Sequence, residues 1–335
     1  MCFCCEQIVA AAAAKTLTPV VLELGGKCPC LVDETCPSDL VQVANRIVWA
    51  KTANCGQNCI SPDYLLIHRS KADALLPELI KSLEKQFGID PKQSELGKLV
   101  APGHVKRAIE MLEEVEERAK TDKKIQILVG GSKACDAKAG YVAPALILNP
   151  PLDCRLMQEE IFSPILPILV VDCRDDAVRI INSRPGIPLG LYVFTTRNKV
   201  FQELTERCRS GSAVHNDLLV QFAGPFLPFG GLGSSGMGSY RGAESFKAFS
   251  HMMTTVYRPC APGADMNMVR CHPFPGWKTF VLLKVGPLLP AIPVFKPLRR
   301  TLVAALVAFA VAQFIPGARL ILADLLRSAA SAVSP

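Results

Sequence analysis

Short apolar runs alternate with helical patterns from residue 20 to residue 194 of this 335-residue chain. The strand-like runs are residues 20–24, 64–67, 125–129, 165–171 and 191–194. Between them, apolar residues recur at helical spacing, notably in residues 40–48, 75–83, 105–119 and 177–181. Because strands that alternate with helices pair in parallel, the pattern predicts an α/β fold with a largely parallel sheet. The first run, 20–24, is expected to be a buried strand.

The composition excludes several classes of protein. Half of the residues are apolar and 20% are charged, which does not fit a disordered, collagen-like or coiled-coil chain. The net charge is +7, but basic residues are scattered among almost as many acids, so we expect no nucleic-acid partner. The 14 cysteines are too few for a disulfide scaffold, which favours a reduced, cytoplasmic protein. Their spacing does not complete any zinc-binding motif, so no bound metal is expected.

Both ends of the chain contain apolar segments, and the charged residues around these segments differ. Residues 8–14 are apolar with no preceding Lys or Arg, which favours a helix over a signal peptide. Near the other end, Arg299 and Arg300 precede an apolar stretch, 302–315, broken only by Gln313. As a helix this stretch is roughly 21 Å long, shorter than a hydrocarbon core of about 30 Å. It predicts either an interfacial membrane anchor or a helix packed on protein.

Two segments carry residues suited to chemistry. In N-C-G-Q-N-C, Cys59 follows a glycine-containing turn and precedes a strand, where neighbouring backbone N–H groups can stabilise a thiolate or an oxyanion. In E-L-G-G-K, Glu23 ends a strand before two glycines. Taken alone, each segment is a weak signal. A cysteine hydrolase would need a histidine base, and the five histidines lie in no recognisable partner motif.

Four motifs together resemble the aldehyde dehydrogenase superfamily. They are L-E-L-G-G-K at 22–27, G-Q-N-C at 56–59, E-E-I-F-S-P at 159–164 and P-F-G-G-L-G-S-S-G-M-G at 228–238, with F-S-H ending at His251. They occur in the family's order, and the resemblance covers about residues 10–259. The phrases at residues 11–20 and 27–33 look most like the class 3 branch, whose fatty-aldehyde and plant-type members can carry a hydrophobic tail.

The resemblance implies the following roles. Cys59 would attack the aldehyde, and Glu23, or Glu160 as the alternative, would activate the water that hydrolyses the resulting thioester. Glu160 and Phe162 would contact the cofactor, NAD or NADP. Asn216 and Phe229 would line the active site. The expected substrate is a small-molecule aldehyde with a medium or long aliphatic chain. The other expected partners are a second copy in a homodimer and a membrane, through the tail.

The resemblance also predicts the domain organisation. We expect an incomplete dinucleotide-binding domain, a catalytic domain, a closing arm with the late motif, and a Pro-rich linker with a hydrophobic helical tail, at 1–24, 25–216, 217–259 and 260–335. The family's glycine-containing phosphate turn and oxyanion-hole asparagine have no counterpart, so weak cofactor binding and slow turnover are expected. The alternative is a truncated, non-catalytic, membrane-associated relative that pairs with full-length enzymes.

Overall fold

The computed structural model describes residues 3–257, 272–280 and 283–284. The chain divides into two units, Met1–His251 and Met252–Pro335, and each is described by itself. Within the described residues, no helix combines the length and the apolar character needed to cross a membrane. The stretch 302–315, on which the expected tail helix depends, lies outside them. The predicted domain boundaries at 24 and 216 stay predictions.

Helices and strands alternate through the first unit. Its helices are α1 Phe3–Ala14, α2 Leu40–Thr52, α3 Arg69–Phe87, α4 Pro102–Thr121, α5 Arg155–Gln158, α6 Arg174–Ser183, α7 Asn198–Arg207, α8 Val220–Ala223 and α9 Gly242–Ala248. Its strands are β1 Leu22–Glu23, β2 Pro29–Val32, β3 Tyr64–His68, β4 Gln126–Val129, β5 Ala145–Leu148, β6 Ile165–Val171, β7 Gly190–Phe194, β8 Ser212–His215 and β9 Gly236–Met237. The second unit contributes α10, Gly276–Phe280.

Seven strands form one mixed sheet, in the order β4-β5-β6-β3-β2-β7-β8. All neighbours in it are parallel except β4 and β5, which are antiparallel. The central strands β2 and β7 are buried along their whole length. Continuous burial is expected for parallel strands because crossover helices cover both faces of such a sheet. The predicted α/β fold with a largely parallel sheet is confirmed.

The two faces of the sheet pack against different helices. In β3, Tyr64 and Leu66 join the cluster that includes α4, α6 and α7, while Leu65 and Ile67 join the cluster that includes α2 and α3. This division follows from the two-residue period of a strand, which sends successive side chains to opposite faces. Burial on both faces therefore fixes the register of the central strands.

One predicted strand is wrong in its extent and surroundings. Of residues 20–24, expected to be a buried strand, only β1 is a strand, and both of its residues are half-buried. It pairs antiparallel with β9 in a separate two-stranded sheet, with Leu22 opposite Met237 and Glu23 opposite Gly236. The apolar run alone does not distinguish a strand inside a sheet from one that pairs with a distant loop.

The central sheet gives a test of these packing assignments. Ile67 is fully buried in β3, whereas Ile89 is 97% exposed in a loop. We expect Ile67→Ala to lower the free energy of unfolding by about 2–5 kcal/mol, because it leaves a cavity in a close-packed core. Ile89→Ala should change it by less than about 0.5 kcal/mol. Urea denaturation measures both, and equal losses would contradict the assigned core.

Candidate active site

Three of the sequence motifs meet at the amino-terminal ends of the parallel strands. Residues 24–28 lead into β2, residues 56–63 into β3 and residues 159–164 into β6. The late motif joins them through β9, which pairs with β1, and through the N–H of Leu24, which donates to the carbonyl of Ser235 at 3.1 Å. The motif residues, distant in sequence, therefore surround one region.

Two glycines permit the close approach of these loops. At Gly25, with φ +93°, a Cβ atom would lie 2.8 Å from a carboxylate oxygen of Glu160. At Gly56, with φ +71°, a Cβ would lie 2.4 Å from the carbonyl oxygen of Ser163. Both positions combine a left-handed backbone with a contact that a side chain would block. The E-E-I-F-S-P loop thus packs directly on the other two motifs because glycine stands at these places.

A buried ion pair lies beneath the same loops. The ammonium group of Lys27 donates to the carboxylate of Asp63 and to the carbonyl oxygens of Leu156 and Glu159, the last two at 2.8 Å. Both charged side chains are almost fully buried. The second carboxylate oxygen of Asp63 accepts the N–H of Ile161 at 3.0 Å. The pair therefore links the first and third motifs to the start of β3.

Cys59 lies half-buried in the loop before β3. Burial, with the charges of Glu23 and Glu160, raises the pKa of its thiol to about 11. The backbone N–H groups of Cys59 and Ile60 act in the opposite direction, because hydrogen bonds to the sulfur stabilise its thiolate. The two carboxylates identified from the motifs are therefore electrostatic neighbours of the thiol. The backbone N–H groups that could hold a negative charge lie beside them.

Glu23 stands at the end of β1 with one carboxylate oxygen buried. Within the described part of the chain, that oxygen has no hydrogen-bond partner. Burial raises the pKa of the carboxyl group, and the charge of Arg241 opposes the rise. Arg241 itself lies over the ring of Phe222, at 3.9 Å from the ring centre. A carboxylate that is partly shielded from water and only weakly stabilised by a neighbouring positive charge is suited to accept a proton.

Glu160 borders a cleft of about 300 Å³ at the same end of the sheet. The cleft is lined by residues from the first, third and late motifs and from the loop before β7: Leu24, Gly25, Gly26, Lys27, Gln158, Glu160, Pro185, Gly186, Ile187 and Ser234. Burial raises the pKa of Glu160 to about 7, and the nearby charge of Asp63 adds to the rise. The N–H of Gly26 donates to this carboxylate at 3.3 Å. Backbone and carboxylate together give the cleft both hydrogen-bond donors and acceptors.

The motifs did not identify two cations that contact this region. Lys51 is 3% exposed, its ammonium group has no hydrogen-bond partner among the described residues, and burial lowers its pKa to about 8. Arg107 donates to the backbone carbonyls of Glu160 and Ile161. Lys51 does carry a signal in the sequence, since it lies four residues after Ile47 on the buried face of α2. Arg107 stands on α4, far in sequence from every motif, and has no comparable signal in the sequence.

The other predicted site residues divide into two groups. Phe162 has φ +53° and lies in the loop after Glu160, and Phe229 is buried edge-to-face against Tyr240, whose hydroxyl group is influenced by the charges of Glu23 and Cys59. The expected roles of both aromatic residues in the active site remain predictions.

Asn216 lies elsewhere, just after β8 at the carboxyl-terminal end of the sheet. Its side-chain amide accepts from the N–H of Thr195 at 2.8 Å and donates to the carbonyl of Thr195 at 2.9 Å. Both ends of the amide are thus used to join the ends of β7 and β8. The structure does not bring this side chain to the Cys59 loop, so its contacts do not favour the expected active-site role, which remains a prediction.

The raised pKa of Glu160 makes the stability of the protein depend on pH. A carboxyl group whose pKa rises from 4.5 to about 7 on folding binds its proton more tightly in the folded state. Its contribution to stability is therefore present at low pH and is lost as the pH rises through about 7. Between about pH 4.5 and pH 7, we expect the free energy of unfolding of the wild type to fall relative to that of Glu160→Gln. Urea denaturation at a series of pH values measures this difference.

Glu159→Gln is the matched control. The hydrogen bond from Arg155 lowers the pKa of Glu159, so the wild type should gain stability relative to this variant as the pH rises through the ordinary range of a glutamate. Differences of the same sign for the two variants would contradict the electrostatics described here.

Comparison with known proteins identifies the family. The sequence profile described as the Aldehyde dehydrogenase family matches residues 5–255. The dimeric NADP-preferring aldehyde dehydrogenase of Mus musculus is 40% identical over 270 residues, covering 80% of this chain and 56% of that protein. Aldehyde dehydrogenase family 3 member F1 of Arabidopsis thaliana is 42% identical over 279 residues, covering 82% of this chain and 54% of that protein.

A solved structure agrees with these relatives. The substrate-bound state of Staphylococcus aureus AldH is similar with a TM-score of 0.70 and 35% identity, covering 83% of this chain and 57% of that one. The chain thus spans about half the length of the curated relatives that it matches. The profile match extends over most of the chain and includes all four motifs, and the chain therefore belongs to the aldehyde dehydrogenase family.

Proposed function

We propose that this protein oxidises an aldehyde to a carboxylate with NAD or NADP, using Cys59 as the nucleophile. The observation that carries the proposal is the placement of the Cys59 thiol beside two carboxylates, Glu23 and Glu160, in a chain of this family. A buried thiol between carboxylates is a poor permanent thiolate. It is, however, well placed to pass its proton to one of them during attack.

The first step forms a bond between the sulfur of Cys59 and the aldehyde carbon. The thiol proton moves to Glu23, whose raised pKa makes it a better proton acceptor than an ordinary glutamate. This transfer also neutralises the carboxylate that most disfavours the thiolate. The aldehyde oxygen becomes an oxyanion, and the backbone N–H groups of Cys59 and Ile60, which already stabilise charge on the sulfur, are the nearby donors.

The cleft beside Glu160 is the proposed site of the nicotinamide half of the cofactor. The glycine backbone at Gly25 and Gly26 leaves room beside the Glu160 carboxylate, which can accept hydrogen bonds from ribose hydroxyl groups. When bound, the oxidised nicotinamide supplies the acceptor for the hydride that leaves the aldehyde carbon. Glu160 and Phe162 are the residues proposed to hold it. The mouse relative is named as NADP-preferring and a similar solved structure is named as a complex with NAD+, so NADP and NAD are both ligands to test.

Loss of hydride leaves a thioester on Cys59, which water must hydrolyse. The water oxygen attacks the carbonyl carbon, the carbon–sulfur bond breaks, and the carboxylic acid departs. Before this step Glu23 releases the proton of the Cys59 thiol to solvent. Glu23 is then proposed to accept a proton from the water, with Glu160 as the alternative, because both carboxyl groups have raised pKa values and neighbour the same thiol. This proton passes to the departing Cys59 thiolate and restores the thiol.

A medium or long-chain aliphatic aldehyde is the proposed substrate. Apolar side chains surround the late motif: Phe229 is buried, Phe222 lies edge-to-face on it, and Phe226 and Leu227 are exposed beside them. Such a surface favours an alkyl chain over a charged substituent. A homodimer is proposed as the assembly, on the strength of the mouse relative, which is named as dimeric.

Exchange of single cysteines tests the reaction. Cys59→Ser should abolish aldehyde-dependent formation of reduced NAD or NADP, because the hydroxyl of serine is a far weaker nucleophile at this position. Cys55→Ser is the control, since Cys55 is fully buried four residues earlier and should retain most of the activity. Equal loss in both variants, or full activity of Cys59→Ser with hexanal or dodecanal, would contradict the proposed nucleophile.

The tail is proposed to attach the protein to the cytoplasmic surface of a membrane. The support is the sequence of 302–312, uninterrupted apolar residues with Arg299 and Arg300 before them and Arg319 and Arg327 after them. Positive flanks suit an anionic membrane surface.

Removal of everything after Lys296 tests this attachment. The complete chain should sediment with membranes in cell fractionation, and the shortened chain should remain in the supernatant. If both remain in the supernatant, the tail is an element that packs on protein and the proposed attachment is wrong.

A further inference from the structure

The side chain of Asn58, the residue before Cys59, contacts the sulfur directly. The thiol of Cys59 donates to the side-chain oxygen of Asn58, with 3.8 Å between sulfur and oxygen. This length suits the large sulfur atom and the weak S–H donor. The N–H of Ile60 donates to the same oxygen at 3.1 Å. A single oxygen therefore joins the proposed nucleophile to the peptide group that follows it.

The two donors fix the orientation of the Asn58 amide. An asparagine side chain presents an oxygen, which only accepts hydrogen bonds, and an NH2 group, which only donates them. Because the N–H of Ile60 is a donor, the atom that faces it must be the oxygen. The thiol of Cys59 faces this same atom, so the thiol must supply the hydrogen of its bond. The oxygen has two lone pairs and can accept both bonds at once.

The backbone around Asn58 holds this oxygen in place. The carbonyl of Asn58 accepts the N–H of Ser61 at 2.9 Å, which closes a turn with Cys59 and Ile60 at its central positions. The bond from the Ile60 N–H to the Asn58 side chain is the local bond that asparagine forms with the backbone two residues later. Neither bond uses the thiol proton, so the turn keeps both when the thiol ionises.

We propose that the side-chain oxygen of Asn58 holds the Cys59 thiol in its protonated resting form by accepting the S–H hydrogen bond. The inference rests on the proposed role of Cys59 and adds the residue that sets its resting state. A hydrogen bond made by the neutral thiol favours the neutral form, and after ionisation a lone pair of the oxygen would face a negative sulfur. Asn58 thus restrains the thiol until its proton passes to Glu23 during attack on the aldehyde.

The ionisable groups around the thiol lie on other elements. Within the described part of the chain, they include Glu23 on β1, Glu160 in the third motif, Cys28 before β2 and Tyr240 after β9. Burial, with the charges of Glu23 and Glu160, raises the pKa of the thiol, so the Asn58 oxygen acts in the same direction. Substitution of Asn58 leaves all of these groups in the chain, and its effect on the thiol can therefore be measured separately.

The rate at which iodoacetamide alkylates Cys59 tests this bond. The reagent is uncharged and reacts with thiolates, and tandem mass spectrometry of peptides from the full chain distinguishes Cys59 from Cys55 and the other cysteines. Asn58→Ala removes the acceptor from the sulfur. Asn58→Asp keeps an oxygen for the Ile60 N–H and adds a negative charge beside the sulfur.

Gln57 supplies the matched controls in the same loop. Its side-chain NH2 group donates to the carbonyls of Asn54 and Lys98, both at 3.1 Å, and its oxygen accepts the N–H of Val100 at 2.9 Å. Gln57→Ala therefore loosens the loop but leaves the Asn58 oxygen in the chain. Gln57→Glu adds the same charge one residue earlier, on a side chain that is bonded to other backbone groups.

The two variants of Asn58 should change the rate in opposite directions. At a fixed pH of about 8, we expect Asn58→Ala to react about twofold to tenfold faster than the wild type, since loss of one weak bond to the neutral thiol raises the thiolate fraction by about that factor. Asn58→Asp should react roughly fivefold or more slowly, because a charge about 4 Å from the sulfur disfavours the thiolate even in water. Gln57→Ala should react at the wild-type rate, and Gln57→Glu should slow the reaction less than Asn58→Asp.

The comparison with Gln57 separates the proposed bond from disturbance of the loop. A loosened loop exposes the thiol and raises the rate, so it does not explain slower alkylation in Asn58→Asp. The proposal is overturned if Asn58→Ala reacts no faster than Gln57→Ala, or if Asn58→Asp reacts no more slowly than Gln57→Glu. Should Asn58→Ala fail to fold, as judged by circular dichroism, Asn58→Asp decides the question, because its side chain has nearly the same shape.

Turnover of aldehyde is a separate readout from the alkylation rate. If Cys59→Ser retains aldehyde oxidation, the proposed nucleophile is wrong, whatever the alkylation rates show. If Cys59→Ser is inactive and the alkylation rates do not follow the expected order, only the role of Asn58 fails.

Discussion

The arrangement of the active-site loops depends on one buried cation, Lys27. Removing two charges from water costs several kcal/mol per ion, and a buried pair persists only if its remaining donors and acceptors are also satisfied. Here the ammonium group meets Asp63 and the carbonyls of Leu156 and Glu159, and the far oxygen of Asp63 takes the N–H of Ile161. Together these bonds join the start of β2 to the loop before β3 and to the segment that runs from α5 into the third motif. Helix packing and strand pairing position the sheet, whereas this ion pair positions the loops of the candidate active site at the amino-terminal ends of its strands.

Exclusion of water from the same interior explains why the pKa values of Glu23, Glu160, Cys59 and Lys51 are displaced in the direction of their neutral forms. Glu160 and Cys59 hold their protons to higher pH, and Lys51 loses its proton more readily, because charge is costly where water is excluded. The site thus combines one buried ion pair, Lys27 and Asp63, with ionisable groups whose charged forms are disfavoured by burial. Small changes in local charge, such as the transfer of one proton, change the ionisation of the neighbouring groups.

The sequence predicts the regular parts of this structure well and the site only in part. Periodicity places β6 at its observed bounds and locates α2, α3 and α4, since these elements bury one continuous stripe or face. It misplaces the run at 20–24, whose partner β9 lies more than 200 residues later and leaves no local signal. The resemblance predicts Cys59, Glu23 and Glu160, but it does not predict Asp63 and Arg107, whose bonds to backbone atoms of the third motif no residue pattern encodes. Asn216 shows the converse, since a motif position need not lie beside the proposed nucleophile.

The separation in sequence of the groups that meet at the site has a kinetic consequence. Lys27 and Asp63 are 36 residues apart, Gly26 and Glu160 are 134 apart, and Cys28 and Gly190 are 162 apart. Formation of contacts of such long range first costs loop-closure entropy and stabilises the protein only afterwards. Such contacts therefore form slowly. The Cys59 loop therefore depends on residues that are synthesised long after Cys59 itself. The loop reaches its final environment only after the segment around β7 has been synthesised and has joined the sheet. Until then, Cys59 of the nascent chain behaves as an ordinary exposed thiol.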